Sequence, residues 1–163
     1  MSTPVLQALL VADHVYRDAG TGKHVICGVF SALQYIPKGA RPKQPPPEGG
    51  PVPATHLIRA GSPYVYLSLT EVHGQQTFEL RYVDLRDNSV LFSSNFGVKS
   101  QDPLQTVEVV LPLPVLPAPH PGFYALELLC EETLLGSHRV RITPDPGFAT
   151  DAPPEPPPPA EAP

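Results

Sequence analysis

The chain has 163 residues, a net charge of −5 and an unusually high content of 24 prolines, together with 12 glycines. Its 41% of hydrophobic residues excludes a wholly disordered chain, and its prolines exclude a mostly helical one, since proline breaks helices. Twenty-one of the 24 prolines fall within residues 37–53, 112–121 and 144–163. This distribution predicts a folded body that is interrupted by two proline-rich loops and followed by a proline-rich tail.

Charge is divided unevenly between the body and the tail. Residues 1–143 carry 12 acidic and 11 basic side chains, whereas residues 144–163 carry four acidic side chains and no basic one. A nearly neutral body lacks the basic surface that nucleic-acid phosphates require. We therefore expect no nucleic-acid partner.

The sequence also shows no membrane or export signal. No apolar run approaches the roughly 18 residues of a membrane-spanning helix, so no membrane partner is expected. Residues 5–12 are apolar except for Gln7, but no basic residue precedes them and no small-residue cleavage site follows, so we interpret them as a strand. These features predict a cytoplasmic protein in which Cys27 and Cys130 stay reduced.

The first third of the chain contains two predicted strands and a long loop. Residues 5–16 are apolar at odd and even positions alike, which is typical of a central or well-covered strand. A polar, glycine-containing turn at 18–23 leads into strand-like sequence from His24 toward Ile36. Residues 37–54 follow as a long loop, because their prolines cannot donate hydrogen bonds to a sheet.

The later strands are marked by alternation of apolar and polar residues, which is typical of half-buried antiparallel strands. The alternating segments are residues 64–70, 77–82, 107–113, 124–130 and 134–142. A turn at 131–133 joins the last two into a terminal hairpin, and a proline-rich loop at 112–122 precedes it. Four carboxylates on these segments are expected to face solvent, those of Glu71, Glu79, Asp84 and Glu108.

These segments predict one folded domain and a tail. Residues 1–143 are expected to form an all-β, immunoglobulin-like antiparallel β-sandwich of about eight strands, with the loop 37–54 inserted in it. Residues 144–163 are expected to be a disordered, acidic, proline-rich tail in the polyproline II conformation. The Pro156-x-x-Pro159 spacing in the tail fits a ligand of proline-recognition domains, and a spacer is the alternative.

Catalytic and nucleotide-binding motifs are missing from the sequence. The run Gly20-Thr21-Gly22-Lys23 has Arg17 and His24 where a phosphate-binding loop requires glycine and a hydroxyl residue, so it is interpreted as a hairpin turn. No nucleophile elbow, zinc-protease motif or complete dinucleotide fingerprint occurs. We therefore expect a protein that is not an enzyme, with no catalytic residue and no cofactor.

Potential metal ligands are scattered. The six histidines form no i, i+2 or i, i+4 pair, and the two cysteines lie 103 positions apart, so no metal site is predicted. Cys27 and Cys130 are expected to be buried free thiols.

One group of polar residues remains as a candidate binding site. Asp13, His14, Tyr16 and His24 would lie near one end of the strand pair that is joined at 18–23. A small metal-dependent enzyme or ligand-binding protein that uses these residues is the alternative function.

Motifs in four parts of the chain carry a resemblance to a known family. They are Ala-Asp-His-Val-Tyr-Arg-Asp at 12–18, Ile-Cys-Gly-Val-Phe at 26–30, Glu-Leu-Arg-Tyr-Val-Asp at 79–84 and Pro-Gly-Phe-Tyr at 121–124. Through them, residues 5–143 resemble an uncharacterised family of small bacterial β-sandwich proteins, a domain of unknown function. The resemblance implies a compact bacterial β-sandwich and no assigned activity.

The predicted function follows from these observations together. A neutral body, absent catalytic motifs and a detachable tail favour a non-catalytic protein-interaction module of a bacterial cytoplasmic protein. Such a module would bind another protein through its sheet edges or end loops.

Overall fold

A computed structural model describes residues 3–36, 41–42 and 63–149. All the regular secondary structure within these residues is β strand. In chain order the strands are β1 (Val5–Arg17), β2 (His24–Val29), β3 (Ala32–Tyr35), β4 (Arg41–Pro42), β5 (Tyr64–Thr70), β6 (Gly74–Asp84), β7 (Ser89–Ser100), β8 (Val107–Pro112), β9 (Gly122–Cys130), β10 (Thr133–Pro144) and β11 (Phe148–Ala149). Within the described part of the chain, no helix is long and apolar enough to cross a membrane.

Nine of these strands form two sheets. Sheet 1 has the order β2-β1-β5-β8, and sheet 2 has the order β3-β10-β9-β6-β7. Neighbouring strands are antiparallel, except that β3 and β10 are parallel. The prediction of an all-β, sandwich-like fold is confirmed, with nine strands in the two sheets instead of about eight.

The proline-rich segments are described only in part. Arg41–Pro42, within the predicted loop 37–54, pairs as β4 with Phe148–Ala149. Pro144 ends β10, so that residue and β11 belong to the stretch that was predicted as a tail. The remainder of the loop 37–54, and residues 150–163 of the tail, lie outside the described residues.

The alternation in the sequence corresponds to the two faces of each sheet. On β5, Val65, Leu67 and Leu69 are fully buried, and they face a matching set of side chains from sheet 2. Each large apolar side chain buried in this way stabilises the fold by roughly 1.5–3 kcal/mol. The shared core includes Leu9, Val11, Val65, Leu67, Leu69, Phe78, Leu80, Tyr82, Leu113, Leu116, Tyr124, Leu126, Leu128, Val140 and Ile142.

β7 is a long strand that the alternation of apolar and polar residues does not predict. Its inward-facing Phe92 and Phe96 stack on Tyr82 and Phe78, with ring centroids 5.5 and 5.6 Å apart. Polar and small residues fill many of the other positions, because β7 is an edge of sheet 2 and its side chains are mostly exposed or only half-buried. A strand with so little cover needs few apolar residues, which leaves a weak period-two signal.

Two burial predictions are wrong. Asp84 does not face solvent but is 2% exposed, because it has the same parity on β6 as the buried Phe78 and Tyr82. Cys27 is exposed, whereas Cys130 is buried, and both thiols are free. Burial raises the pKa of the Cys130 thiol, which makes it a poor nucleophile at neutral pH.

The terminal hairpin is closed by a two-residue loop. Glu131 and Glu132 form this loop with positive φ angles of 48° and 66°, and Thr133 already belongs to β10. Two consecutive positive φ angles are typical of a type I′ turn, which favours Asn-Gly over glutamates. The predicted hairpin is therefore confirmed, with a loop one residue shorter than expected.

We expect the double substitution Glu131→Asn and Glu132→Gly to raise the free energy of unfolding by about 1 kcal/mol, because it relieves left-handed backbone strain at both positions. Urea unfolding at neutral pH measures the gain. Asn88 also has a positive φ, 60°, but asparagine already tolerates it, so Asn88→Gly is a matched control that should shift stability by less than about 0.5 kcal/mol. A double variant that is no more stable than the wild type would contradict the interpretation.

Candidate functional site

The strand register separates the four residues of the predicted site. In the β1–β2 hairpin, Arg17 lies opposite His24, and His14 lies opposite Cys27. Residues directly opposite each other share a face of the sheet, and neighbours along a strand alternate between faces. Asp13 therefore shares a face with His24, whereas His14 and Tyr16 lie on the other face.

Three of the four residues are exposed on the hairpin. Asp13, His14 and Tyr16 are solvent-exposed, and His24 is half-buried. Gly28 has a φ of 70°, and a Cβ at that position would collide with the Asp13 carboxylate. The close approach of Asp13 to the backbone of β2 therefore requires glycine at position 28.

His24 is the member of the predicted set that makes specific polar contacts. Its Nδ1 lies 3.1 Å from Oε2 of Glu108 on β8, and its ring packs edge-on against Tyr66 on β5 at 5.7 Å. The Tyr66 hydroxyl donates a hydrogen bond to Oε1 of the same carboxylate. These three residues, called the His24 cluster below, connect three strands of sheet 1.

The distances in the His24 cluster require the first hairpin to curl back over sheet 1. His24 lies opposite Arg17 on β1, whereas Tyr66 lies opposite Leu10, seven positions earlier. In a straight strand seven residues span roughly 23 Å. Since the two rings are 5.7 Å apart, the hairpin turns back across β5 and β8. Tyr66 is only 9% exposed although it points away from sheet 2, and His24 and Glu108 contact it on that face.

The electrostatics of the His24 cluster favour a structural link. Burial, reinforced by the neighbouring Glu108 carboxylate, raises the pKa of Tyr66 to about 12. Hydrogen bonds from the Tyr66 hydroxyl and then from His24 lower the pKa of Glu108. Both oxygens of the Glu108 carboxylate are thus hydrogen-bonded within the protein. This arrangement fits a structural contact between the hairpin and sheet 1 better than it fits a catalytic general base.

We expect Glu108 to stabilise the fold at neutral pH and to lose this effect in acid. Its folded-state pKa lies below the ordinary 4.5, so stabilisation is present above about pH 4.5 and fades as the pH falls further. The effect is about 1 kcal/mol, because the side chain is 39% exposed and solvent screens the charge. Urea unfolding should show a deficit for Glu108→Gln at neutral pH that largely disappears near pH 3. A deficit of equal size at both pH values would contradict this assignment.

A second polar cluster lies at the end of sheet 2. His120 Nε2 is 2.6 Å from Oδ2 of the buried Asp84, and the other oxygen of Asp84 accepts a hydrogen bond from the Arg86 backbone at 2.9 Å. The remaining ring nitrogen of His120 lies 2.9 Å from the Pro121 carbonyl oxygen. Both ring nitrogens therefore face acceptors, and only the doubly protonated imidazole can donate to both.

Tyr124 anchors the loop that carries His120. Its hydroxyl donates to the His120 carbonyl at 2.6 Å, four residues upstream, and burial raises its pKa. Its ring stacks on Tyr82 at 5.5 Å. The Tyr82 hydroxyl is buried and has no hydrogen-bond partner among the described residues, and burial raises its pKa as well.

An open groove of about 610 Å³ lies beside this cluster. Its walls come from the turn after β6, from the loop before β9 and the start of that strand, and from β10. They are formed by Leu85, Arg86, His120, Pro121, Gly122, Phe123 and Arg139. Among the described residues, no serine, threonine or cysteine lines it, so this part of the chain brings no hydroxyl or thiol nucleophile to the groove. Sequence reasoning did not identify this groove, because its residues are distant along the chain.

Metal-ligating side chains do not converge in the described ranges. Residues 3–36, 41–42 and 63–149 contain no group of three or more His, Cys, Asp or Glu side chains that could hold a metal ion. The alternative function that relies on a metal near the first hairpin thus has no ligand set among these residues.

Family models and curated proteins were compared with the chain. No protein-family model matches the chain, and no curated protein matches it significantly. The resemblance of its sequence motifs to an uncharacterised bacterial family remains a prediction.

Proposed function

We propose that the chain is a non-catalytic protein-interaction module with immunoglobulin-like topology. In that topology strands B and E pair in one sheet, while strands C, F and G lie in the other. The pair β5–β8 and the order β10-β9-β6 fit these two sets. Tyr124, near the start of β9, has the backbone hydrogen bond of the tyrosine corner that marks strand F.

The free edge of β7 is the observation that supports protein binding. Among the described residues β7 pairs with β6 alone, so one side of Ser89–Ser100 presents backbone N–H and C=O groups without a strand partner. An extended segment of another protein can pair with such an edge, and this β-augmentation supplies main-chain hydrogen bonds.

The other outer strands are less suitable for pairing with a strand of a partner protein. β2 and β8 have six residues and β3 has four, whereas β7 has twelve. β8 also ends in Pro112, which has no backbone N–H, and β2 belongs to the hairpin that curls over sheet 1.

β7 also lacks most of the features that protect a sheet edge. Natural edges are commonly blocked by charged side chains or proline, but Lys99 is the single charged residue of β7, and the strand contains no proline. Ser93, Ser94 and Asn95 are exposed at its middle, and Val90 is 50% exposed near its start. The middle of β7 is therefore accessible to a pairing strand.

A cytoplasmic location is part of the proposal. Both cysteines are free, and Cys27 is exposed, which suits a reducing compartment.

A lysine in the middle of β7 tests the proposal. Ser94→Lys should block pairing at the edge, because inward-pointing charges on edge strands disfavour strand addition. Ser137→Lys adds the same charge at an exposed serine on β10 of the same sheet and serves as the matched control. Equal thermal stability of the two variants would show that both remain folded.

Affinity capture from a lysate of the source organism, quantified by mass spectrometry, provides the readout. Partners captured by the wild type and by Ser137→Lys should be depleted at least about tenfold with Ser94→Lys, a loss of about 1.4 kcal/mol or more. Equal recovery with both variants, or no specific partner with the wild type, would overturn the proposal.

A further inference from the structure

The groove beside His120 has several positive groups in and around its walls. Arg86 and Arg139 both line it, and they come from the turn after β6 and from β10, where β6 and β10 are the two strands that flank β9 and its Phe123. The guanidinium carbon of Arg141 lies 5.7 Å from the centre of the Phe123 ring, which is a cation–π contact.

The strand register fixes the positions of these arginines. The Leu85 backbone N–H donates to the Phe123 carbonyl at 3.0 Å, which places Arg86 beside the start of β9. On β10, Arg139 lies opposite Ala125, so it projects from the same face of sheet 2 as Phe123. Two arginines thus lie on either side of Phe123, which is 55% exposed.

Two carboxylates lie close to the groove, but each has partners of its own. Asp84 is buried, and its oxygens are occupied by His120 and by the Arg86 backbone N–H. Asp87 accepts a hydrogen bond from the Ser89 backbone N–H at 3.0 Å. The pKa of Asp87 is lowered by its hydrogen bonds with Ser89, first with the side chain and then with the backbone.

The side chains of Arg86 and Arg139 make no ion pair in the described part of the chain. Arg81 shows the contrast, because its guanidinium lies 2.7 Å from the Glu79 carboxylate. The two groove arginines therefore retain their donors for a ligand.

The chemistry of the walls selects the ligand. A guanidinium matches a carboxylate in bidentate geometry, and the rings of Phe123 and Pro121 offer apolar contact between the two charges. A polypeptide that alternates acidic with apolar side chains presents both features. A nucleic acid would need a longer basic surface than this groove, on a chain whose net charge is −5.

We propose that this groove binds an acidic peptide segment of a partner protein, with Arg86 and Arg139 each pairing with a carboxylate and Phe123 packing against an apolar side chain between them. The site is separate from the β7 edge and does not depend on β-augmentation.

Fluorescence anisotropy with the full chain tests the groove. The probe is a short labelled peptide in which glutamate alternates with leucine, and the same peptide with glutamine in place of glutamate is the reference. The glutamate peptide should bind at least about tenfold more tightly than the glutamine peptide, and added salt should weaken it. Equal affinity for the two peptides, or no binding of the glutamate peptide, would overturn the proposal.

Charge-matched variants locate the binding. Arg86→Gln and Arg139→Gln should each weaken the glutamate peptide about tenfold. Lys99→Gln removes the same charge from β7, outside the groove, and should leave the affinity unchanged. An equal loss in all three variants would assign the binding to net charge and would contradict a defined site.

The two proposals fail independently. Ser94→Lys should retain the groove's affinity for the glutamate peptide even where it abolishes partner capture through β7. Loss of peptide binding in Ser94→Lys would show that the peptide pairs with the sheet edge, which would overturn the assignment to the groove.

Discussion

Replacing Asp84 with alanine is expected to lower the free energy of unfolding by about 3 kcal/mol. Asp84 is 2% exposed, and its carboxylate accepts from both the His120 imidazole and the Arg86 backbone N–H. Removing one partner of a buried, hydrogen-bonded pair leaves the other partner without its hydrogen bond, and this lowers the free energy of unfolding more than removing both partners would.

Urea unfolding of Asp84→Ala, His120→Ala and the double variant measures the interaction directly. Because the two side chains act as a pair, the cost of the double variant should fall short of the sum of the single costs by at least about 1 kcal/mol. Asp13→Ala removes an exposed carboxylate and should change stability by no more than about 0.5 kcal/mol. Additive single costs, or a deficit below about 1 kcal/mol for Asp84→Ala, would contradict the pairing.

Tyr124→Phe is expected to cost about 2 kcal/mol, although it removes a single oxygen atom. The Tyr124 hydroxyl donates to the His120 carbonyl at 2.6 Å and thereby ties the loop before β9 to the core. Loss of the donor leaves that carbonyl without this partner and releases the loop. The corresponding fall in melting temperature is roughly 4–8 °C for a chain of this size.

Tyr82→Phe is the matched control for this substitution. Tyr82 is fully buried and stacks on Tyr124, but its hydroxyl has no hydrogen-bond partner within the described ranges. Its removal should leave stability unchanged or raise it slightly, because it relieves the burial of an unsatisfied polar group. Equal losses in the two tyrosine variants, measured by thermal unfolding, would contradict the structural role of the Tyr124 hydroxyl.

The strands that could be predicted are those whose burial differs between their two faces. β5, β6, β8, β9 and β10 each bury one face in the shared core, so their sequences alternate with period two. The terminal hairpin followed from the same signal and from the short polar segment between its strands. β7 was not predicted, because an edge strand can be polar at most positions on both of its faces.

The candidate sites were harder to predict, because their partners are distant along the chain. His24 was identified as polar, but Glu108, 84 positions away, and Tyr66, 42 positions from Glu108, join it only because the hairpin curls back over sheet 1. Period-two alternation places side chains on faces and gives no information about such curvature.

Asp84 shows a signal that the sequence did contain. It has the parity of the buried positions on β6, so its carboxylate had to be either a break in the pattern or a buried acid in need of a partner. The identity of that partner, His120, depends on the loop that Tyr124 anchors, and no local pattern predicts that contact.

Amide hydrogen–deuterium exchange along β7, with and without a captured partner, tests the proposed function most directly. If β7 pairs with a partner strand, the backbone amides of Ser89–Ser100 that point away from β6 should exchange markedly more slowly in the complex, because they acquire carbonyl acceptors. Amides of β2 and β8 should be unaffected by comparison. Unchanged exchange along β7, with new protection confined to another strand or loop, would contradict the account.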